Sequence, residues 1–409
     1  MRRREFLKLA ATTSAGAVVF TGCGIGDGDP EREFDIQSPV NNPEDMAFGR
    51  DAWYATAQPV SAGGSNLIVR IYEGRAKKVE GNPDSPLNRG RSSALDQSLV
   101  QEVYHPDRIA SPMRRRGDRG SGDYEAIANW DDALSQLTTA VNDARGQAGS
   151  IVLVTEPVSG SLARVVTAFA DAVGARHVVF EPDEYVVLRE AMRQVFGTDR
   201  LPTIDLANSR FVLSFSAEFL HNWIAPVQLS IGYGEFRHGE GHPRGVYYHV
   251  GPQLSATASN ADRWFPIVPG AEGLVALAMA QAMVDEGLVD AGRASAIYGS
   301  LDQNVAPATG LSADQIRELA RSFGSEQPAV AIAGTSAAAH TNGLFNVAAV
   351  FALNYLVGSV GVPGGLLLNP GSPDEANLPS VIGGAPYRDW EALASDMTNG
   401  AVQLLLIHG

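Results

Sequence analysis

Short apolar runs alternate with longer amphipathic segments along most of the chain beyond residue 125. The apolar runs predict buried strands at 151–154, 178–180, 211–215, 245–250, 330–334 and 402–407. Apolar residues at helical spacing predict helices at 272–286, 313–323 and 343–357. Such alternation is typical of βαβ units, so the pattern predicts an α/β fold with parallel sheets flanked by helices.

Two further helices precede these and have defined apolar faces. Asn129 is a candidate N-cap for the first of them. Its apolar positions share one helical face: Trp130, Ala133, Leu134, Leu137 and Val141. The second helix is predicted to turn these residues inward: Leu162, Val165, Val166, Phe169 and Val173.

The pattern also predicts how the chain divides into regions. Residues 46–125 are rich in turns, with a predicted hairpin over 67–80 around Gly74. We predict a signal peptide at 1–22, a tether at 23–45, a β-rich region at 46–125 and α/β regions at 126–325 and 326–409. A central parallel strand is normally followed by a loop and a helix, whereas here the chain stops at Gly409. We therefore expect the last region to be incomplete, either because the sequence is a fragment or because a second polypeptide completes it.

Composition excludes several classes of protein. The 409 residues are 44% hydrophobic, which excludes a disordered chain, and the net charge of −15 disfavours nucleic-acid binding. The run Arg114–Arg116 is the local exception, and we interpret it as a solvated surface run. The one cysteine, Cys23, allows no intrachain disulfide and no cysteine-held iron–sulfur cluster or structural zinc site in this chain.

The N-terminus has the pattern of an export signal. A basic start is followed by a short apolar stretch, and Arg3, Arg4, Phe6 and Leu7 resemble a twin-arginine motif. An ordinary secretory signal is the alternative. Small residues before Cys23 resemble a lipoprotein cleavage site, where the thiol becomes lipidated, and the alternative is an unmodified cysteine. We expect a lipid-anchored protein on the periplasmic side of the cytoplasmic membrane.

Several collinear blocks carry a family resemblance. They include VEGNPDSPLNRG at 79–90, YHPDRI at 104–109 and ADRWFPIVPG at 261–270, with weaker matches at 112–115, 130–134, 341–343 and 357–365. Together they resemble the molybdopterin oxidoreductases of the dimethyl sulfoxide reductase type. The resemblance implies the α/β fold of that family and a β-rich cluster-binding region before it.

The resemblance fails at the positions that hold inorganic centres. In that family three cysteines precede the first hairpin, and a fourth follows the Asn-Arg-Gly-Arg run. Here Gln58, Ser61, Ser65 and Ser93 occupy those positions. Serine hydroxyls do not replace soft thiolates on iron, so we expect no cluster. Asp183 lies where the family places its molybdenum ligand, and we favour a solvated turn there over ligation.

Two other motifs invite a binding interpretation. Residues 358–365 are glycine-rich and resemble turns that approach the pterin pyrophosphate in active relatives, but helix capping and close packing are favoured. Residues 238–242 contain two histidines, and their glycines and the following proline favour a loop over a metal site.

A degenerate molybdopterin-like domain behind a twin-arginine lipoprotein start resembles the large periplasmic subunit of alternative complex III. That resemblance implies a non-catalytic subunit of a membrane-associated quinol:acceptor oxidoreductase in respiratory or photosynthetic electron transfer. Its cofactors, iron–sulfur clusters and haem c, are expected in partner chains or in a C-terminal part. The implied partners are a ferredoxin-like iron–sulfur part, a quinol-binding membrane subunit and multihaem cytochrome c subunits. The alternatives are an active cluster-free molybdopterin enzyme and a stand-alone substrate-binding lipoprotein.

Overall fold

The computed structural model of the protein describes residues 49–58, 64–146, 149–238, 243–299, 306–371 and 383–409. These residues form two compact units. The smaller unit contains residues 49–54 and 68–79, and the larger contains the remaining described residues. The predicted boundaries after residues 125 and 325 stay predictions.

The strands are short and most lie in the larger unit. In chain order they are β1 (Asp51–Gln58), β2 (Ser65–Tyr72), β3 (Arg75–Gly81), β4 (Met113–Arg115), β5 (Tyr124–Ala126), β6 (Ile151–Thr155), β7 (Arg176–Val179), β8 (Thr203–Ile204), β9 (Phe211–Phe215), β10 (Val246–Val250), β11 (Arg263–Phe265), β12 (Ala329–Ala333), β13 (Leu366–Leu367) and β14 (Leu404–His408).

The helices lie between the strands of the parallel sheets or follow them. In chain order they are α1 (Ala94–Val103), α2 (Trp130–Ala144), α3 (Gly160–Val173), α4 (Tyr185–Phe196), α5 (Pro226–His238), α6 (Glu272–Asp285), α7 (Ala291–Tyr298), α8 (Ala313–Ser325), α9 (Ser336–Ala339), α10 (Gly343–Leu356) and α11 (Tyr387–Thr398). In the described part of the chain, no helix combines the length and apolar character needed to cross a bilayer.

The three N-terminal strands form one sheet in the order β1-β2-β3. Glu73 and Gly74 connect β2 to β3 with φ angles of 48° and 76°. Two consecutive positive φ angles are typical of the tight turn that matches the twist of a hairpin. The predicted hairpin around Gly74 is therefore confirmed, and β1 is an additional strand.

The central sheet of the larger unit has the order β11-β10-β9-β12, and all of its strands are parallel. Every residue of β9 and β12 is buried. Their continuous apolar sequence reflects helices on both faces, because a parallel sheet is buried on both sides. Residues of α4, α6, α8 and α10 belong to the same hydrophobic core as these strands. The predicted α/β fold is confirmed.

A second parallel sheet has the order β14-β6-β7. One of its faces packs against α2 and α3 through Val141, Ala144, Val166 and Ala170. The other face packs against α11 through Leu393 and Trp390. This sheet is therefore also covered on both sides.

The predicted inward faces of α2 and α3 are correct only in part. Val141 and Val166 are buried. Three positions of α3 that were expected to face inward are exposed, Leu162, Val165 and Phe169, and three positions on the apolar side of α2 are exposed as well, Trp130, Leu134 and Leu137. Helical spacing shows which side of a helix is apolar, but the sheet reaches only part of that side.

The short antiparallel pair β4-β5 carries the arginine run. Arg116 Nη2 lies 3.0 Å from Asp123 Oδ1, and Arg114 pairs with Glu125 on the opposite strand. All three arginine side chains are exposed. The interpretation of residues 114–116 as a solvated surface run is confirmed.

Candidate functional site

The order of the central sheet defines a candidate site. From β9 the chain proceeds to β10 on one side, while β12 lies on the other side. In open α/β sheets, ligands bind outside the carboxyl ends of the strands at such a switch point. Ligand-binding or catalytic side chains are therefore expected in the loops that follow β9, β10 and β12.

Two residues at this edge have strained backbones. Ser216 follows β9 directly with φ of 56°, and Thr335 follows β12 with φ of 52°. Left-handed conformations of this kind cost about 1–3 kcal/mol each and persist only where other contacts hold them. The Thr335 backbone N–H donates to Glu184 Oε1 at 2.7 Å, and its Oγ1 accepts from the Glu218 N–H at 3.3 Å.

The carboxyl group of Glu272 is buried and forms a hydrogen bond with Ser216. Ser216 Oγ donates to Glu272 Oε1 at 2.8 Å, and Asn346 Nδ2 is 3.4 Å from Glu272 Oε2. Glu272 is wholly buried and is the first residue of α6, where the helix N-terminus favours negative charge. Asn346 also donates to the Ala337 carbonyl and accepts from the Gly273 N–H at 3.1 Å each. The polar atoms of this cluster thus bond to one another.

A buried histidine completes the same edge. His249 lies in β10 with its Nδ1 2.9 Å from the Tyr247 hydroxyl. Burial lowers the pKa of His249 from 6.5 to about 4, so the imidazole is neutral near pH 7. A Cβ on Gly251 would lie 2.9 Å from both His249 Nε2 and Ser216 Oγ, so these side chains leave room only for glycine.

The loop after β7 is acidic and partly buried. Burial raises the pKa of Glu181, and the Arg189 guanidinium, whose Nη1 lies 3.0 Å from Glu181 Oε2, opposes that rise. Burial likewise raises the pKa of Asp183, against a hydrogen bond with Tyr185. Asp183 lies in the turn before α4, as expected, and its carboxyl is partly rather than fully exposed to solvent.

The edge as a whole is acidic. The loops at 180–185, 216–222, 251–260 and 334–342 contain four carboxylates, Glu181, Asp183, Glu184 and Glu218, and no lysine or arginine. Within the described residues, no group of three or more His, Cys, Asp or Glu side chains is placed to hold a metal ion.

Three of the residues at the degenerate cluster positions lie at the ends of secondary-structure elements. Gln58 ends β1, and Ser65 begins β2 and is buried. Ser93 is the N-cap of α1: its Oγ accepts from the Asp96 N–H at 3.1 Å, and its own N–H donates to Asp96 Oδ2 at 2.7 Å. This reciprocal capping box occupies the Ser93 hydroxyl. Sequence reasoning missed it, although a serine three residues before an aspartate is its signature.

Other predicted positions lie outside the described residues. These are Arg3, Arg4, Phe6, Leu7, Cys23 and Ser61, and also residues 239–242 of the histidine pair, of which His238 ends α5.

The glycine-rich segment after α10 caps the helix and packs closely. The Ser359 N–H donates to the Asn354 carbonyl at 2.8 Å beside Gly358, whose φ is 75°. A Cβ on Gly364 would lie 2.5 Å from the Asn208 carbonyl oxygen. The preferred interpretation of this segment, helix capping and close packing, is confirmed.

The fold and its switch-point edge define a protein of the doubly wound α/β class. Residues 108–377 match the sequence profile of the family described as molybdopterin oxidoreductase, and the chain belongs to that family. Its relatives include the menaquinone reductase, molybdopterin-binding-like subunit, of Nitratidesulfovibrio vulgaris, with 29% identity over 79% of this chain and 46% of that protein. Another is the thiosulfate reductase molybdopterin-containing subunit PhsA of Salmonella typhimurium, with 28% identity over 73% of this chain and 40% of that protein.

A solved structure shares the fold. Acetylene hydratase from Pelobacter acetylenicus superposes with a TM-score of 0.61 at 19% identity, covering 77% of this chain and 45% of that one. The chain spans less than half the length of each of these relatives.

Replacement of Ser93 by alanine should destabilise the larger unit by about 1 kcal/mol, because the capping bond to Asp96 is lost. Ser159→Ala is the matched control, since Ser159 is the N-cap of α3 without a side-chain capping bond. Urea unfolding measures both variants. Equal losses would show that the Ser93 hydroxyl has no special structural role.

Acidification should destabilise the protein through His249. The unfolded chain binds a proton near pH 6.5 and the folded chain only near pH 4, so stability is present above this window and is lost as the pH falls through it. Across this pH window the free energy of unfolding should fall by about 3 kcal/mol. In urea unfolding between pH 4 and pH 7, His249→Gln should show a shallower dependence than the wild type. Parallel profiles for the two proteins would contradict a buried neutral imidazole.

Proposed function

We propose that this chain is a non-catalytic structural subunit of a membrane-associated quinol:acceptor oxidoreductase of the alternative complex III type. The observation that carries this proposal is the hydrogen bonding and charge of the loops at the carboxyl edge of the central sheet. Ser216, Glu272 and Asn346 bond to one another there, and the loops of this edge, together with the neighbouring loop after β7, contain four carboxylates without lysine or arginine. An anionic pterin pyrophosphate requires cationic or backbone donors that are available to it. The side chains of these loops supply no cationic donor, which supports a chain without that cofactor.

The cluster-binding positions support the same proposal. Ser93 is occupied in capping α1, and Ser65 is buried at the start of β2. A neutral hydroxyl in either place offers no thiolate to iron. In this proposal the redox centres, iron–sulfur clusters and haem c, belong to other parts of the assembly. Those parts are a ferredoxin-like iron–sulfur part, a quinol-binding membrane subunit and multihaem cytochrome c subunits.

Membership of a complex is supported by the names of relatives. Both the menaquinone reductase and the thiosulfate reductase relatives are named as subunits, and the former as molybdopterin-binding-like. The alignments cover under half of those proteins, so their activities are not transferred to this chain. The proposal takes from these relatives only that the domain is one subunit of a larger complex, in which it would hold other subunits in place.

We place the subunit on the periplasmic side of the cytoplasmic membrane. The twin-arginine-like residues Arg3 and Arg4 would direct its export, and a lipidated Cys23 would anchor it. Acyl chains contribute about 0.8 kcal/mol per buried CH₂, so two or three of them hold a protein firmly to a bilayer.

A second candidate function is an active molybdopterin oxidoreductase that needs no cluster. The strained backbones of Ser216 and Thr335 at the switch point favour it, since such strain often accompanies active sites. The absence of cationic side chains from the same loops weighs against it.

Metal and pterin analysis of the purified complex separates the two functions. We expect molybdenum and tungsten far below one atom per chain, and no releasable pterin. The thiosulfate reductase subunit of Salmonella typhimurium, named as molybdopterin-containing, serves as the positive control. Stoichiometric metal with pterin in this chain would overturn the structural role and favour the active enzyme.

Replacement of Cys23 by alanine should release the chain from washed membranes once partner subunits are also removed, because the acyl anchor is lost. Fractionation followed by immunoblotting measures the release, with the wild-type chain in the same partner-free strain as control. A variant that stays with the membrane would show that lipidation is not the anchor.

A further inference from the structure

Two neighbouring helices of the larger unit carry apolar side chains that are exposed in the described part of the chain. α2 and α3 lie on the same face of the sheet β14-β6-β7, where both pack against Leu406 and Ala175. Their carboxyl ends are in contact, since Arg145 Nη2 donates to the Ala172 carbonyl at 3.0 Å. Because each helix connects to β6 in a parallel sheet, the two run in the same direction.

The exposed side chains follow helical spacing on each helix. On α2 they are Trp130, Leu134 and Leu137, with 65%, 54% and 40% of their surface exposed. On α3 they are Leu162, Val165 and Phe169, with 44%, 64% and 37% exposed. We call these six residues the α2–α3 face. Single exposed apolar residues are common, but three at helical spacing on each of two helices that meet at their carboxyl ends are a mark of an interaction surface.

The charges of the segment that contains α2, β6 and α3 limit what can cover this face. Residues 130–173 contain five acidic residues and two arginines, and all seven are exposed: Asp131, Asp132, Asp143, Glu156, Asp171, Arg145 and Arg164. An anionic lipid surface would be repelled by the excess of negative charge, and so would the same face of a second copy. A polypeptide whose apolar side is flanked by lysine and arginine would be attracted.

We propose that the α2–α3 face is the docking surface for a partner polypeptide that presents an apolar face flanked by basic residues. This inference rests on the proposed function, since it names the surface through which the structural subunit holds another part of its complex. The apolar contacts supply the binding free energy, and the opposite charges select the partner and its orientation.

Photocrosslinking in the intact complex tests the occupant. Val165→p-benzoylphenylalanine is introduced into the full chain, with Val268→p-benzoylphenylalanine as a control at a residue that is 50% exposed elsewhere in the larger unit. The expected result is a crosslink from position 165 alone, to another polypeptide, at an apolar segment flanked by basic residues. Crosslinks to lipid, to a second copy of this chain, to a segment without basic flanks, or to nothing would overturn the proposal.

A charge variant gives a second, independent measurement. The double variant Leu134→Lys/Val165→Lys places lysine, a good helix former, in both α2 and α3 and adds positive charge to the face. It should lower the co-purification of the partner identified by crosslinking by about tenfold or more, and Val268→Lys should leave that co-purification unchanged. Circular dichroism confirms that both variants fold. Undiminished co-purification of the partner, or an increased association with vesicles of anionic phospholipid in its place, would overturn the docking surface.

The two proposals fail in different ways. If the wild-type chain purifies with stoichiometric molybdenum, or without any other subunit, the proposed function fails. If the wild type and Leu134→Lys/Val165→Lys retain the same subunits equally, only the assignment of the α2–α3 face fails.

Discussion

The buried carboxylate of Glu272 constrains the centre of the larger unit. A polar group buried in a protein interior without hydrogen bonds costs several kcal/mol, so this group requires partners. It receives them from Ser216 after β9 and from Asn346 in α10, and it lies in the first turn of α6. These bonds tie the central strand and the two helices together, since movement of any one would break at least one hydrogen bond of Glu272.

The same bonds determine what the carboxyl edge offers to a ligand. A hydroxyl that donates to Glu272 and an amide that bridges Glu272 and Ala337 have little capacity left for another group. His249 is occupied with Tyr247, and the backbone of Thr335 with Glu184. Several side chains at the edge that holds ligands in doubly wound proteins are thus committed to bonds within this chain.

The sequence predicted the central sheet well because burial on both faces leaves a direct trace. β9 and β12 are continuous apolar runs, and their limits differ from the predicted ones by one residue at most. The burial of α2 and α3 was predicted less well. Periodicity identifies an apolar side, whereas its cover depends on elements that are distant in sequence or belong to another molecule. The helix α1 and its capping box were missed, although Ser93 and Asp96 have the spacing of that motif.

The bonds of the candidate site lay beyond prediction for a similar reason. Ser216 and Glu272 are separated by 56 residues, and Thr335 and Glu184 by 151. No local pattern specifies such pairs; they depend on the order of strands in the sheet. The strain at Ser216 and Thr335 then has an explanation within the fold. A left-handed residue costs about 1–3 kcal/mol, and each of these residues makes a buried or partly buried hydrogen bond to a carboxylate. A hydrogen bond contributes about 0.5–1.5 kcal/mol net, so each of these bonds offsets part of that strain.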